Sequence, residues 1–244
     1  MEAALTLKQR GHDVTVYEPA ELGGQFNLAH LPPNKESLKE IVDYFRGEMV
    51  SQQIPVRKRP FDRNEQQTQK YDGVIIATGS KPLIPKIKGL NEYYWADFLL
   101  DENLPENKKV LIIGGGLIGV EMASKLLEKN NQVVLVEMLN ELARGMEMIE
   151  RKITLRKLMN NSGVHIYKEY AVTEVDGKTV TLSGEDERKI SEIDVVVVAA
   201  GMKSYNPLEE QLKDKTQTWV IGDANKVGKA QDAILSGFKL ARRI

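Results

Sequence analysis

Cysteine is absent from the 244 residues of this sequence, and histidine is scarce. Without cysteine, the chain itself can form no disulfide bond, thiolate nucleophile, iron–sulfur cluster or C-x-x-C redox pair. The three histidines, His12, His30 and His165, lie far apart in sequence, so we predict no metal site. Redox chemistry in this chain would therefore depend on a bound organic cofactor.

The sequence also lacks an excess of charge and a long apolar run. Lysine and arginine number 34 and aspartate and glutamate 35, which does not favour nucleic acid or an acidic membrane as a partner. The longest uncharged apolar run, 110–120, contains four glycines and is too short for a membrane span. The first residues do not resemble a signal peptide. We therefore expect a cytoplasmic protein.

What the sequence does contain is a long internal repeat. Segment Glu2–Glu18 aligns without a gap on segment Glu121–Glu137, at a shift of 119 positions. Farther along, YDGVIIATG, which ends at Gly79, matches IDVVVVAAG, which ends at Gly201. Such a repeat indicates a duplicated unit made of a helix, a strand ending in an acidic residue, and a strand ending in A-x-G. We predict that each copy binds a nucleotide.

The second copy contains a complete dinucleotide fingerprint. An apolar strand, Val110–Ile113, runs into a G-x-G-x-x-G pattern formed by Gly114, Gly116 and Gly119, and a helix follows. We expect Gly114 to make the tight turn and Gly116 to let the backbone approach a pyrophosphate. Gly119 would let the helix pack close to the strand. The pyrophosphate would then accept hydrogen bonds from the free N–H groups at the helix N-terminus.

An acidic residue ends the next strand of this copy. Glu137 stands 18 residues beyond Gly119, where a carboxylate hydrogen-bonds the adenosine ribose and repels the 2′-phosphate of NADP. The sequence therefore predicts that NADH binds in preference to NADPH. The alternative is that Gly114–Gly119 is only a packing turn in a domain that does not bind nucleotide.

The first copy begins inside its first helix. At the same shift, the residues that match Lys109–Gly119 would precede Met1, so the strand and the glycine loop of this fingerprint are missing from the sequence. In folds of this type that strand is central in a parallel sheet. We therefore expect the chain to be the trimmed end of a longer polypeptide or a product that starts at an internal Met.

These patterns predict an α/β fold with two Rossmann-like, three-layer dinucleotide-binding domains, the second inserted in the first. The first domain would comprise 1–106 plus 202–244 and lack its first strand and Gly-rich loop. The second would comprise 107–201. The strand TWVIGDA, which includes Gly222 and Asp223, and the helix after it would return to the first domain.

Three local patterns give finer expectations. Residues 13–18 are predicted to form a strand in the first domain. Ser37 is the predicted N-cap of a helix in the first domain. One face of that helix would carry Leu38, Ile41, Val42, Phe45 and Met49. In the second domain, Asp176-Gly177 predicts a hairpin turn.

Taken together, GHDVTVYE-x-x-x-x-GGQ, YDGVIIATGSKPLIP, VLIIGGGLIGVE and VIGDA resemble the two-dinucleotide-fold flavoproteins, the pyridine nucleotide-disulfide oxidoreductase-like superfamily. GGQFNLAHLPPNK, VEMLNELARGME and VVVVAAGMK-x-x-N-P-L resemble the carboxy-terminal half of NADH:flavin oxidoreductases of the 2,4-dienoyl-CoA reductase and trimethylamine dehydrogenase type. In that family, this half follows a TIM barrel that carries FMN and a 4Fe-4S cluster. Neither the barrel nor its cluster cysteines are present in this sequence, so the resemblance implies that FMN and the cluster belong to a partner domain or subunit.

The resemblance also implies roles for particular residues in the first domain. Glu18 matches the acidic residue at the FAD adenosine ribose, and Asp223 matches the aspartate at the flavin ribityl chain. The other matching positions lie in a loop near the flavin and in the A-T-G turn that passes close to the cofactor, and they are Gly23, Gly24, Gln25, Thr78 and Gly79. We also expect Gly201 and Gly222, which end strands, to belong to the cofactor-binding residues. Alternatives are that Glu18 is only an exposed carboxylate at a strand end and that Asp223 caps the final helix.

The resemblance implies an FAD-dependent oxidoreductase module that transfers hydride from NAD(P)H to FAD. The cofactors make and break the bonds in such chemistry, so we assign no catalytic acid or base. FAD binding depends on a fingerprint that this sequence does not contain. Two other functions therefore stay open: a non-catalytic nucleotide-binding or interaction module, and a stand-alone NADH:acceptor reductase.

Overall fold

The computed structural model describes residues 1–62, 64, 71–90, 103–213 and 215–244. Its helices are α1 Glu2–Gln9, α2 Leu38–Ser51, α3 Leu117–Leu127, α4 Met148–Met159, α5 Glu209–Leu212 and α6 Ala230–Ala241. Its strands are β1 Val16–Tyr17, β2 Val56–Arg57, β3 Gly73–Ile76, β4 Ser80–Pro82, β5 Lys109–Ile113, β6 Gln132–Glu137, β7 Val164–Lys168, β8 Ala171–Asp176, β9 Thr179–Ser183, β10 Glu187–Ile190, β11 Val195–Val198, β12 Met202–Ser204 and β13 Gln217–Val220. The predicted α/β class with parallel sheets is confirmed.

The chain divides into two compact units. The first unit comprises Met1–His30, Ser37–Lys81 and Met202–Ile244, and the second comprises Leu31–Glu36 and Pro82–Gly201. Our predicted bounds instead end the first segment of the first domain, 1–106, at residue 106, and the 91–102 part of that segment lies outside the described residues. The bounds of the functional domains stay a prediction.

The second unit is built on a parallel sheet with the strand order β11-β5-β6-β7. Its strands form because β5, β6 and β11 are nearly uninterrupted runs of Val, Ile and Leu, which suit strands buried on both faces. Helices α3 and α4 cover one face. An antiparallel sheet, β10-β9-β8, covers the other, and side chains from both sheets share one core.

The antiparallel sheet of this unit contains the hairpin that the sequence predicts. Strands β8 and β9 pair with Asp176 opposite Thr179, and Gly177 in the turn has a φ of +55°. Only residues such as glycine adopt that left-handed conformation without strain.

The first unit contains two separate pairs of parallel strands. Strand β1 pairs with β2, and β3 pairs with β13. Among the described residues, no strand joins these pairs, so β1 and β3 each have one edge without a strand partner. Helices α1 and α6 pack closely, because Gly237 has no side chain to separate them at Ala3.

Three local predictions about the first unit are met only in part. Ser37 occupies the predicted N-cap position of α2, but its own backbone is helical and its side chain makes no capping hydrogen bond. Of the predicted apolar face, Val42, Phe45 and Met49 are buried, whereas Ile41 is exposed. The predicted strand at 13–18 is reduced to two residues in β1, since pairing with β2 is the only ladder that these described residues form.

Candidate functional site

The glycine loop of the second unit lies between the end of β5 and the start of α3. Gly114 has a φ of +108°, and a β-carbon there would lie 2.4 Å from the carbonyl oxygen of Ala199. A β-carbon at Gly119 would lie 1.8 Å from the carbonyl oxygen of Gly114, so the helix can pack this close only with glycine. Gly116, by contrast, faces open space, with no atom within 4 Å of a β-carbon. The surroundings of Gly114 and Gly119 fit the predicted turn and packing roles, and the pyrophosphate role of Gly116 stays a prediction.

Glu137 binds the same loop through its carboxylate. Its Oε2 accepts a hydrogen bond from the N–H of Gly115 at 2.7 Å, and its Oε1 accepts one from the N–H of Leu139 at 2.8 Å. A carboxylate oxygen has a second lone pair, so both oxygens retain capacity for ribose hydroxyls. The carboxylate therefore fixes the loop backbone and presents negative charge beside it.

Glu18 in the first unit makes only part of this arrangement. Its Oε1 accepts a hydrogen bond from the N–H of Ala20 at 3.0 Å, two residues on, as Glu137 does from Leu139. No described residue takes the place that Gly115 has beside Glu137. The two matching carboxylates therefore differ in one contact, that with a glycine loop.

The residues predicted to lie near flavin come together in the first unit. Gln25 Nε2 donates to the carbonyl oxygen of Ser80 at 2.7 Å, and the Ser80 hydroxyl donates to Asp223 Oδ2 at 3.2 Å. Asp223 Oδ1 accepts the N–H of Gly228 at 3.1 Å. The N-cap of α6 is Lys229, whose N–H donates to Asp232, and Asp223 binds Gly228 directly before it, so the alternative that Asp223 caps the final helix stays a prediction.

The loop that carries Gly23 and Gly24 is held by α2. Gly23 has a φ of +109°, and a β-carbon there would lie 2.6 Å from Asn27 Oδ1 and 2.9 Å from Val42. Arg46 of α2 donates to the carbonyl oxygen of Leu22 and to Asn27 Oδ1. The loop and Gln25 are therefore fixed from the helix side.

The A-T-G turn at Thr78 and Gly79 is hydrogen-bonded to Tyr205, and its glycine shares a positive φ with two other glycines at strand ends. The Thr78 hydroxyl donates to the carbonyl oxygen of Tyr205, and the Tyr205 N–H donates to the carbonyl oxygen of Gly79. Gly79, Gly201 and Gly222 all have positive φ, at +75°, +107° and +58°. These glycines let strands end in sharp turns.

A partly buried ion pair lies near the glycine loop of the second unit. Lys35 donates to Glu121 of α3, and its Nζ lies 3.1 Å from Glu150 of α4. Burial alone lowers the pKa of Lys35, but the two carboxylates outweigh burial and raise it. Burial raises the pKa of Glu121 against the opposing effect of Lys35. Sequence reasoning missed this pair, because no local pattern brings position 35 to positions 121 and 150.

Other residues of the site were also missed. Ser80, which lies in the YDGVIIATGSKPLIP motif but was given no role, connects Gln25 to Asp223. Arg46, which belongs to no motif, holds the Gly23 loop. Among the described residues, no three His, Asp or Glu side chains gather closely enough to hold a metal ion. Within the same described ranges, no helix is long and apolar enough to cross a membrane.

Comparisons with known proteins agree with the resemblance that the sequence motifs indicate. The family model described as pyridine nucleotide-disulphide oxidoreductase matches residues 1–233. An NADH oxidase of Thermoanaerobacter brockii is 35% identical over 100% of this chain and 39% of that protein. A bilirubin reductase of Mediterraneibacter gnavus (strain CC55_001C) is 33% identical over 93% of this chain and 36% of that protein.

A solved structure, that of 2-naphthoyl-CoA reductase with 2-naphthoyl-CoA, superposes with a TM-score of 0.89 at 26% identity. The match covers 100% of this chain and 38% of that one. The chain thus spans less than two-fifths of the length of these relatives. The resemblance to two-dinucleotide-fold flavoproteins that the motifs predicted is confirmed.

Proposed function

The chain belongs to the pyridine nucleotide-disulphide oxidoreductase family, and from that premise we propose that its second unit binds NADH and delivers hydride to FAD held by the first. The family is one of flavin-dependent oxidoreductases that bind FAD and NAD(P). The finer assignments, namely the residues of each site, the preference for NADH and the acceptor, are parts of the proposal.

The glycine loop carries the NADH part of the proposal. Gly116 leaves open space where a pyrophosphate would approach, and α3 begins directly after it with no side-chain cap on its first N–H groups. Glu137, bonded to Gly115, would accept the hydroxyls of the adenosine ribose and repel a 2′-phosphate. These residues fit NADH better than NADPH.

The flavin end of the first unit fits FAD in part. Asp223 and Ser80 form a polar pair with Gln25 beside it, which suits the hydroxyls of a ribityl chain. Glu18 lies at the end of β1, where it would accept the hydroxyls of the FAD ribose. The described residues do not include a glycine cradle for the FAD pyrophosphate. Bound FAD would supply the hydride acceptor.

The residues of this chain would bind and orient the nucleotides rather than transfer protons. The N–H groups at the start of α3 would hold the NADH pyrophosphate, and Glu137 would set the adenosine end. Asp223 would hold the flavin ribityl chain, with its carboxylate oriented by Ser80 and Gly228. No residue of the chain is assigned an acid–base role.

We also propose that electrons leave the module through a further domain or subunit. The relatives are much longer than this chain, and they include reductases of bilirubin and of 2-naphthoyl-CoA. A barrel domain with FMN and a 4Fe-4S cluster, as the resemblance implies, would supply the exit. The chain contains no cysteine to bind such a cluster itself.

The test is to purify the 244-residue chain, record its absorbance spectrum and titrate it with NADH by calorimetry. A yellow protein with a flavin spectrum that bleaches on addition of NADH under anaerobic conditions would support the proposal. A colourless protein that binds NADH, and stays colourless when FAD is added, would favour the nucleotide-binding module without catalysis. A protein that binds neither nucleotide would contradict both.

A further inference from the structure

The segment 139–146 lies directly on the glycine loop of the second unit. The N–H of Ala143 donates to the carbonyl oxygen of Gly115 at 2.7 Å. The buried side chain of Leu142 packs so closely that a β-carbon at Gly115 would lie 2.5 Å from it. Gly115 is thus held from two sides, since its N–H donates to Glu137 and its carbonyl accepts from Ala143.

The segment is held in a strained backbone conformation. Ala143 has a φ of +53°, a left-handed value that is unfavourable for any residue with a β-carbon. Such a conformation persists only where surrounding contacts impose it. The contact that places the Ala143 N–H against Gly115 therefore needs support from outside the segment.

Arg151, in the first turn of α4, provides that support. Its Nε donates to the carbonyl oxygen of Leu142 at 2.9 Å, and its guanidinium also lies 2.8 Å from Glu141 Oε1. One planar guanidinium thus binds two successive residues of the segment, Glu141 and Leu142. A lysine ammonium cannot reproduce this geometry. Leu142, whose carbonyl oxygen accepts from Arg151, immediately precedes Ala143. Ala143 is the residue whose N–H donates to Gly115.

We propose that Arg151 is a positioning residue for the nucleotide site. It holds segment 139–146 in contact with Gly115 and thereby keeps the glycine loop in the conformation that accepts a pyrophosphate. The inference rests on the proposed NADH site and adds to it a residue that does not touch the nucleotide. Arg151 acts through Leu142, Ala143 and Gly115 in turn.

The test compares Arg151→Ala with Arg156→Ala in the full chain. Arg156 is an exposed arginine on the same helix, so its loss controls for the change in charge. For Arg151→Ala we expect NADH and ADP to bind about tenfold more weakly, because the loss of hydrogen bonds to a charged group releases the loop. Adenosine, which has no pyrophosphate, should bind unchanged, as should all three probes to Arg156→Ala.

Amide exchange gives a second measurement that needs no nucleotide. The Ala143 amide should exchange faster in Arg151→Ala, while the amides of β5 and β6 keep their protection. Arg151→Lys should bind NADH with intermediate affinity. Glu141→Gln should stay within about twofold of the original chain, because ion pairs between exposed groups contribute little and the bond to Leu142 remains.

Each result decides the matter. If Arg151→Ala binds NADH and ADP as the original chain does, or loses affinity for adenosine equally, the inference is wrong while the NADH site stands. Unchanged exchange at Ala143 would also overturn it. If the original chain binds neither NADH nor ADP, the proposed function fails first and the inference fails with it.

Discussion

Two matching carboxylates, Glu18 and Glu137, show how a single residue depends on its neighbours. Each accepts an N–H from two residues further along the chain, but only Glu137 also accepts one from a glycine loop. A carboxylate with two fixed donors has a defined orientation, and orientation is what selective binding of a ribose requires. The geometry of Glu137 is therefore better suited to nucleotide selection than that of Glu18.

The first prediction concerns this selection. In the original chain we expect NADH to bind more tightly than NADPH by roughly ten- to a hundredfold. This ratio corresponds to the free energy that hydrogen bonds to a charged group contribute. Glu137→Gln keeps an acceptor for the Gly115 N–H but removes the negative charge, so the ratio should fall to about threefold or less. Calorimetric titration with both nucleotides measures the ratio.

Glu128→Gln is the matched control, because it removes one negative charge at the far end of α3. Its ratio should equal that of the original chain. Comparable affinity of the original chain for both nucleotides would make the role assigned to Glu137 wrong.

A second prediction concerns Lys35 and Glu121, whose side chains are 21% and 16% exposed. Lys35→Met leaves the partly buried Glu121 carboxylate without its cation, so the free energy of unfolding should fall by about 1–3 kcal/mol at neutral pH. Without Lys35 the pKa of Glu121 rises further, and the folded chain then binds a proton more readily than the unfolded chain. The decrease in the free energy of unfolding caused by Lys35→Met should therefore be largest at pH values above that pKa, and it should shrink as the pH falls through that pKa.

Urea unfolding of both chains at several pH values between neutral and mildly acidic measures this dependence. Glu150→Gln is the control, because Glu150 is the more exposed partner of Lys35. This variant should lower the free energy of unfolding by less than Lys35→Met does. The double variant Lys35→Met with Glu121→Leu should recover most of the stability. A loss that is the same at every pH would show that Glu121 does not hold the charge we assign to it.

At the scale of elements, the turn from β5 to α3 allows a sharp comparison of two glycines. Gly116→Val places a branched side chain in open space at an ordinary φ of −68°, so the chain should fold normally. That side chain would occupy the approach of the pyrophosphate, and NADH binding should fall beyond detection. Gly119→Ala should instead lower the unfolding free energy, since its β-carbon would lie 1.8 Å from a carbonyl oxygen.

Circular dichroism and calorimetry together separate these effects. Normal NADH binding by folded Gly116→Val would argue against use of the glycine loop. Unchanged stability of Gly119→Ala would argue against the close packing of α3 on β5.

The elements that could be predicted from sequence are those whose signal is local. The apolar runs of β5, β6 and β11 and the glycines of the β5–α3 turn determine a parallel sheet and its loop within short windows. The contacts missed by sequence analysis join distant positions. Lys35 meets Glu121, Ser80 meets Asp223, and Arg46 reaches back to Leu22, and no periodicity or motif encodes such pairs.

Local signals also failed where tertiary contacts decide the outcome. Ser37 has the right residue type and position for an N-cap, but its backbone continues the helix and its side chain makes no capping hydrogen bond. Strand β1 is predicted over six residues, yet a strand extends only where a neighbour continues the ladder, and only two of its residues are paired. Composition alone does not supply that neighbour.

At the scale of the whole molecule, the internal repeat allows the sheets of the two units to be compared strand by strand. By the repeat, β6 matches β1 and β11 matches β3, and in the second unit β5 lies between them with hydrogen bonds to both. In the first unit the corresponding edges of β1 and β3 have no strand partner among the described residues. Backbone N–H and C=O groups on such edges must be satisfied by water or by another chain.

The last prediction follows from those edges. We expect the amides of Val14–Glu18 and Val74–Thr78 to exchange at least about tenfold faster than those of β5 and β6, because local openings of the first unit cost less free energy. The 244-residue chain should also bind FAD weakly. An added segment that copies the sequence of Lys109–Gly119 and is placed before Met1 should slow exchange at both edges and raise FAD affinity. A Gly/Ser segment of equal length, which has no strand propensity, should do neither. Tight, stoichiometric FAD binding by the chain without any addition, with slow exchange at β1 and β3, would mean that these edges are already satisfied.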